Sequence, residues 1–395
     1  MRGWSAITII FFIAYVLCCS ENTYAQRRIQ IMASHTIDKG YNTLENYKNI
    51  EEAGFTLAKQ YYSNIDDAIE HLITAGNTNV KLIVECPRLF DDIESSVKRL
   101  KKYKALGGYD VFDEPGAGSF KEIRDKTETI LKLDAKHHIW VNIYPMSVLP
   151  LDLLQSNSYE DYVEQYIDIV KPAFVSYDFY AITKRGLHSK YYPNLEIISQ
   201  KCRDAGIPFW GYVLASQFED FVEPTKGTMS FYAYNNLAYG AQGIEYFSYR
   251  RIVHGNLNIT ISPIDTNYQK MPIYESVKEL NAEIRYYSKF FYGNKIFDVA
   301  HLSQEIPNGS HSLKENPDGI IRMDYKGKGF VVSQFYKGKR KYLLFVNKDY
   351  ANNQLLTLVT SKRVKRLSHY ANERMRGSGE LSFDVQPGSI VLLKL

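Results

Sequence analysis

Residues 80–144 read VKLIVECPRLFDDIESSVKRLKKYKALGGYDVFDEPGAGSFKEIRDKTETILKLDAKHHIWVNIY, and this stretch decides the fold. Short apolar runs at 80–86, 109–113 and 139–144 alternate with longer segments at 95–106 and 120–133. Runs too apolar to alternate in polarity read as strands buried on both faces. The longer segments between them read as the crossover helices of a parallel sheet.

Working outward, the same grammar continues in both directions. Upstream come a strand at 29–34, a helix at 43–53 with Leu44, Tyr47 and Ile50 on one face, a strand at 56–62 and a helix at 65–75. Downstream come a helix at 159–170, a strand at 173–180 and a helix at 195–205 with Leu195, Ile198 and Cys202 in one stripe. A strand at 208–216, a helix at 229–239 and a strand at 244–249 follow, then a long helix carrying Ile273, Val277, Leu280 and Ile284. Eight β-α units of this total size are expected of a (β/α)₈ barrel, which takes about 250 residues. Ala53-Gly54, Ala75-Gly76, Ala205-Gly206 and Tyr239-Gly240 each precede a strand, so glycine is expected to end these helices in the left-handed conformation. An open doubly wound sheet shares the local pattern, but no G-x-G-x-x-G follows the first strand.

From 295 to 395 the helical periodicity stops. Apolar or alternating runs at 330–336, 341–347, 355–360 and 389–395, separated by turns such as Lys337-Gly338 and Pro387-Gly388, predict a small antiparallel β-sandwich. At the other end, Arg2, the apolar run 6–17 and the small residues of Thr23-Tyr24-Ala25 predict a signal peptide over 1–25. The expected organisation is therefore a leader at 1–25, a barrel at 26–294 and a β domain at 295–395, secreted or periplasmic and without a membrane span. Tyr15-Val16-Leu17 makes a poor lipidation box, which disfavours an anchor at Cys18 or Cys19. Cys86 and Cys202 are expected to be small buried hydrophobes. Neither a metal site nor an organic cofactor is expected from the spacing of cysteines and histidines.

The chain has 48 basic and 44 acidic residues in 395, a formal +4 that gives no electrostatic reason to expect nucleic acid. Its 32 tyrosines are unusual; most should pack at core rims, but some suit stacking on sugar rings. In a barrel, reactive side chains come from the C-terminal ends of strands. That rule selects Glu85, Asp113-Glu114-Pro115, Asp178 and Glu245, with Glu219 beyond Ser216-Gln217. His35, Asn142, Tyr144, Tyr180, Trp210, Tyr249, Arg250 and His254 are expected at the same rim. Carboxylates ringed by aromatics are what glycosidic bond cleavage needs, one as proton donor and one at the anomeric carbon or its water. Glu85 and Glu219 read as solvated loop acids. Pro115 is expected to hold Glu114 extended. Gly377-Ser378-Gly379 is a turn rather than a hydrolase elbow, and His137-His138 falls at the opposite end of the barrel.

GGYDVFDEPGAGSF (107–120), WVNIYP (140–145), AFVSYDFYAI (173–182), NNLAYGAQGIEYFSYR (235–250) and VQPGSIVLLKL (385–395) resemble exported barrel proteins of Bacteroidetes described as family 42-like, or β-galactosidase-like, glycoside hydrolases. The resemblance spans nearly the whole chain after the leader. It implies a carbohydrate substrate, a retaining mechanism and a strand-four acid/base, which matches Glu114. It also implies a strand-seven nucleophile, where this chain has Gln217. The second carboxylate is then Glu245, Asp178 or Glu219. Glu245 is favoured narrowly because it shares strand parity with Phe247 and Tyr249, although it lies about four residues below the strand end. The expected sugar site comprises His35, Asn142, Tyr144, Tyr180, Trp210, Gln217, Tyr249 and Arg250, with Arg250, Arg251 and His254 making a basic edge for an acidic sugar. Should no carboxylate lie within reach of Glu114, a barrel that binds glycans without cleaving them is the alternative.

Overall fold

A computed structural model describes residues 28–395 apart from 149, 255 and 256; the predicted leader, with Cys18 and Cys19, lies outside the described residues. Eight parallel strands close into a barrel: β1 Gln30–Ala33, β2 Leu57–Tyr61, β3 Lys81–Glu85, β4 Leu106–Asp113, β5 His138–Ile143, β6 Val175–Tyr177, β7 Phe209–Leu214 and β8 Gly243–Phe247. Each pairs with its neighbour in sequence, and β8 closes on β1. The outer ring holds α1 Leu44–Glu52, α2 Ile65–Ala75, α3 Ile93–Leu100, α4 Phe120–Leu133, α5 Tyr159–Val170, α6 Tyr191–Ala205, α7 Lys226–Tyr239 and α8 Ile273–Phe291. The third helix is shorter than its pattern suggested and ends at Leu100. Gly54, Gly206 and Gly240 take positive φ as expected, whereas Gly76 stays right-handed at φ −57°.

Strand alternation sorts the lumen into layers. Met32, Leu57, Ile83, Trp140, Phe174 and Trp210 form a separate apolar cluster, the floor. Trp210 stacks on Phe174 with centroids 4.8 Å apart and meets Trp140 edge-on at 5.0 Å. Gly243 on β8 makes room for it, since a Cβ there would lie 2.0 Å from the indole. Two residues further along the strands the lumen turns polar, with Lys59, Asp110, Asn142, Ser176, Tyr212 and Glu245 all buried.

Beyond α8, strands β9 Lys295–Leu302, β10 Ile320–Lys326, β11 Phe330–Lys337, β12 Arg340–Asn347, β13 Gln354–Leu367, β14 Met375–Val385 and β15 Ile390–Lys394 form one antiparallel sheet. Its register shifts between Thr360 and Val364 of β13, and the halves close on a core that includes Phe330, Val332, Leu343, Phe345, Leu358, Phe383 and Val391. The residues between these in sequence (Val331, Leu344, Val346, Leu392) join the barrel's core instead. Both faces of β11, β12 and β15 are therefore apolar, one for the sandwich and one for docking. The docking partner is α7, whose residues from Thr228 to Tyr239 are all buried. A helix buried all round lies between two layers, even with Ser230, Asn235 and Asn236 among its buried residues.

Candidate active site

The polar layer opens onto the C-terminal mouth of the barrel, where the floor's logic reverses. Lys59, in the middle of β2, forms an ion pair with Asp110 of β4 at 2.9 Å, and both side chains are buried. Burial penalises the Lys59 cation, but Asp110, Asp113 and Glu85 around it more than compensate and raise its pKa. Lys59 and Asp110 were not among the rim residues expected from the sequence, whereas Asp113 was. The available signal was a lysine inside an otherwise apolar strand, FTLAKQY, which demands a buried partner. Glu85 is not the solvated acid expected: it is half-buried, and burial with Asp113 nearby raises its pKa against the pull of Lys59.

Glu114 follows the last residue of β4. Its backbone N–H donates to the Asn142 carbonyl at 2.8 Å, and its φ is +50°. The extended conformation expected from Pro115 is thus not adopted; the left-handed turn bends the chain off the strand end, and a non-glycine residue held there costs about 1–3 kcal/mol. The carboxyl is pushed up to about 8, first by burial and then by the charges of Asp178 and Asp113. Asp178, the residue after β6, sits at the corresponding level. It accepts from Asn142 Nδ2 at 2.8 Å and from the Tyr180 hydroxyl, and burial carries it up to about 6 despite those bonds. Glu245 lies lower. It is fully buried, paired in register with Tyr212 of β7, and accepts or shares a hydrogen with Ser176 Oγ at 2.9 Å. Asp178 and Asp113, rather than Glu245, are the carboxylates whose charge acts on Glu114.

An aromatic wall stands beside the acids. Tyr180 packs against Phe247 at 5.4 Å and edge-on to Phe218 and Tyr212, and burial, then the charges of Glu114 and Asp113, raise the Tyr144 hydroxyl pKa. His35, after β1, meets Phe247 edge-on at 5.3 Å; burial, then Lys59 and Arg250, lower its pKa to about 3, so it is a neutral ring.

Other expected rim residues fall elsewhere. Trp210 lies in the floor, because β7 begins at Phe209 and its lumen positions run Trp210, Tyr212, Leu214. Tyr249 is buried on the outer side against Phe55 at 5.7 Å. Shared parity with Glu245 does not reach it, since β8 ends at Phe247 and alternation holds only within a strand. Gln217 is turned to the loop beyond β8, where its side-chain oxygen takes the Thr260 hydroxyl. Glu219 is exposed. Arg250 is bound to Asp38 at 2.8 Å and Arg251 to the Ile259 carbonyl at 2.8 Å, so the basic edge is committed to holding loops. Among the described residues no cluster of His, Cys, Asp and Glu has the arrangement of a metal site, and no helix is long and apolar enough to cross a membrane. Cys86 and Cys202 are buried free thiols.

By sequence, the chain matches no family model and no curated protein. By structure, it is similar to a β-galactosidase from Rahnella sp. R3, with a TM-score of 0.62 and 8% identity over 95% of this chain and 99% of that one. A GH42 β-galactosidase from G. stearothermophilus gives a TM-score of 0.60 with 7% identity over 94% and 98% of the two chains. An α-L-arabinofuranosidase from Thermotoga maritima gives 0.51 with 10% identity over 94% and 96%. At these identities the likeness is one of fold, and its span takes in the barrel and the C-terminal sheet together.

Proposed function

We propose that the protein is a glycoside hydrolase whose substrate enters at the C-terminal mouth of the barrel. What supports this reading is a pair of carboxyls that follow β4 and β6 at the mouth and act on one another, with burial pushing Glu114 up to about 8 and Asp178 up to about 6. Two acids pushed apart in this way divide the labour of glycosidic cleavage. Glu114, neutral at neutral pH, gives its proton to the departing glycosidic oxygen. Asp178, kept an acceptor by Asn142 and Tyr180, meets the positive charge that develops at the anomeric carbon. The charge of Asp178 acts on Glu114, so the two carboxyls lie within electrostatic reach of one another, as cleavage by a pair of acids requires. Tyr144, Tyr180 and Phe247 offer ring faces to the sugar, His35 offers a polar edge, and Asn142 holds Asp178 from below the mouth. The leader read at 1–25 supports a secreted or periplasmic setting.

The test is reducing-sugar release from a panel of plant and host glycans by the wild type and by Glu114→Gln. Release that the variant loses supports hydrolysis with Glu114 as acid. Binding without release by the wild type favours a binding barrel instead.

A further inference from the structure

We infer that Glu245 is a buried, protonated acid that works as a positioning residue: through Ser176 and Asn142 it aims a hydrogen bond at Asp178 and decides which of the two carboxyls carries the charge. The inference rests on counting hydrogens along a chain of contacts. Asn142 Nδ2 meets Asp178 Oδ1 at 2.8 Å, Ser176 Oγ meets Asn142 Oδ1 at 3.0 Å, and Ser176 Oγ meets Glu245 Oε1 at 2.9 Å. A serine hydroxyl has one hydrogen. When it is given to Asn142 Oδ1, the contact with Glu245 has a hydrogen only if Glu245 supplies it. When the amide is turned round, Ser176 is free to donate to Glu245, but Asn142 Oδ1 then faces Asp178, which must be the protonated one. With both carboxyls ionised, one oxygen–oxygen contact holds no hydrogen in either orientation. The chain therefore carries at least one proton, whichever way it runs.

The surroundings place that proton on Glu245. Its side chain is completely buried, whereas Asp178 reaches the half-exposed mouth. The groups facing Glu245 are Ser176 of β6, the Tyr212 hydroxyl of β7, Lys59 of β2 and Asp178. Lys59, the cation among them, is already bound to Asp110 at 2.9 Å. An uncompensated buried carboxylate is far costlier than a neutral acid. The relay then runs in one direction, from Glu245 O–H to Ser176, Asn142 and Asp178, and leaves Asp178 an ionised acceptor.

The hydrogen count stands by itself; the consequence for catalysis rests on the glycosidase reading. Infrared difference spectra of wild type against Glu245→Gln at neutral pH test the count. Loss of a protonated-acid carbonyl band in the variant is expected, and loss of an ionised carboxylate band would overturn the inference. Ser176→Ala tests the relay without touching a carboxyl. The groups facing Asp178 (Asp113, Glu114, Tyr180 and Lys59) all remain in that variant. The acid limb of the kcat/KM profile should move up by about one pH unit as Asp178 loses its fixed donor, and Ser176→Thr should restore it. An unmoved limb overturns the positioning role. A wild type that releases no sugar from any glycan would sink the glycosidase reading instead, and would leave the infrared result intact.

Discussion

Glu114 holds a proton at neutral pH because burial and the charges of Asp178 and Asp113 penalise its anion. Gln at this position keeps the shape and removes the acid, so hydrolysis should fall by about 10²–10⁴-fold, the usual worth of a positioned general acid. Asp178→Asn should be at least as damaging, and Glu245→Gln clearly milder, because an amide can still donate to Ser176. Equal losses at 178 and 245, measured as kcat/KM on one substrate, would contradict that ranking. The proton also sets a pH dependence of stability. The folded pKa of about 8 lies above the ordinary glutamate value of about 4.3, so between the two the native state binds a proton that the unfolded chain has released. Stability should therefore decline as pH rises through that window, and activity should decay as pH passes about 8. Urea midpoints across the window should fall less steeply in Glu114→Gln than in the wild type; parallel slopes would show that Glu114 is not the protonated group.

Among the elements, β7 shows how one strand serves two purposes. Trp210 closes the floor with Phe174 and Trp140, while Tyr212, two residues on, lines the polar layer beside Glu245. Trp210→Ala should cost about 3–5 kcal/mol of stability, as large-to-small core changes do, with a substrate KM close to wild type. Tyr180→Ala should do the reverse, sparing the thermal midpoint and raising KM. A Trp210→Ala protein of normal stability and weakened binding would return the indole to the sugar site. Periodicity made most of these strands legible, since buried parallel strands advertise themselves as short apolar runs. It could not separate floor from rim, because that depends on where each strand begins, and a shift of two residues moves a side chain by a whole layer. Glu114 itself was legible from its place after strand four. Its left-handed backbone was not, because the rule for residues before proline describes the chain alone and not the pull of the Asn142 carbonyl.

At the scale of the molecule, the barrel and the C-terminal sheet share a core through α7. Phe335 meets Phe291 of α8 at 5.9 Å, Tyr342 meets Phe290 at 5.7 Å, and Phe231 of α7 meets Tyr350 at 5.7 Å. Two bodies joined by so much apolar surface should unfold together. Calorimetry of the full chain should give one cooperative transition, and Leu344→Asp, a charge on the docking face of β12, should lower or split it. A wild type that melts in two separated steps would show that the docking face contributes little.

The sequence by itself determined the eight-fold β-α order, the change to an all-β domain near residue 295 and the acid after strand four, because periodicity and turn chemistry are local and survive without a partner. Only the tertiary structure decided that Trp210, Gln217 and Tyr249 leave the mouth, that Lys59 and Asp110 occupy the lumen as a pair, and that the charge of Asp178 rather than of Glu245 acts on Glu114. Each of those outcomes depends on strand start, burial and hydrogen-bond geometry across the barrel. These arise only when residues far apart in the chain, such as 59 and 110 or 176 and 245, are closed into one ring.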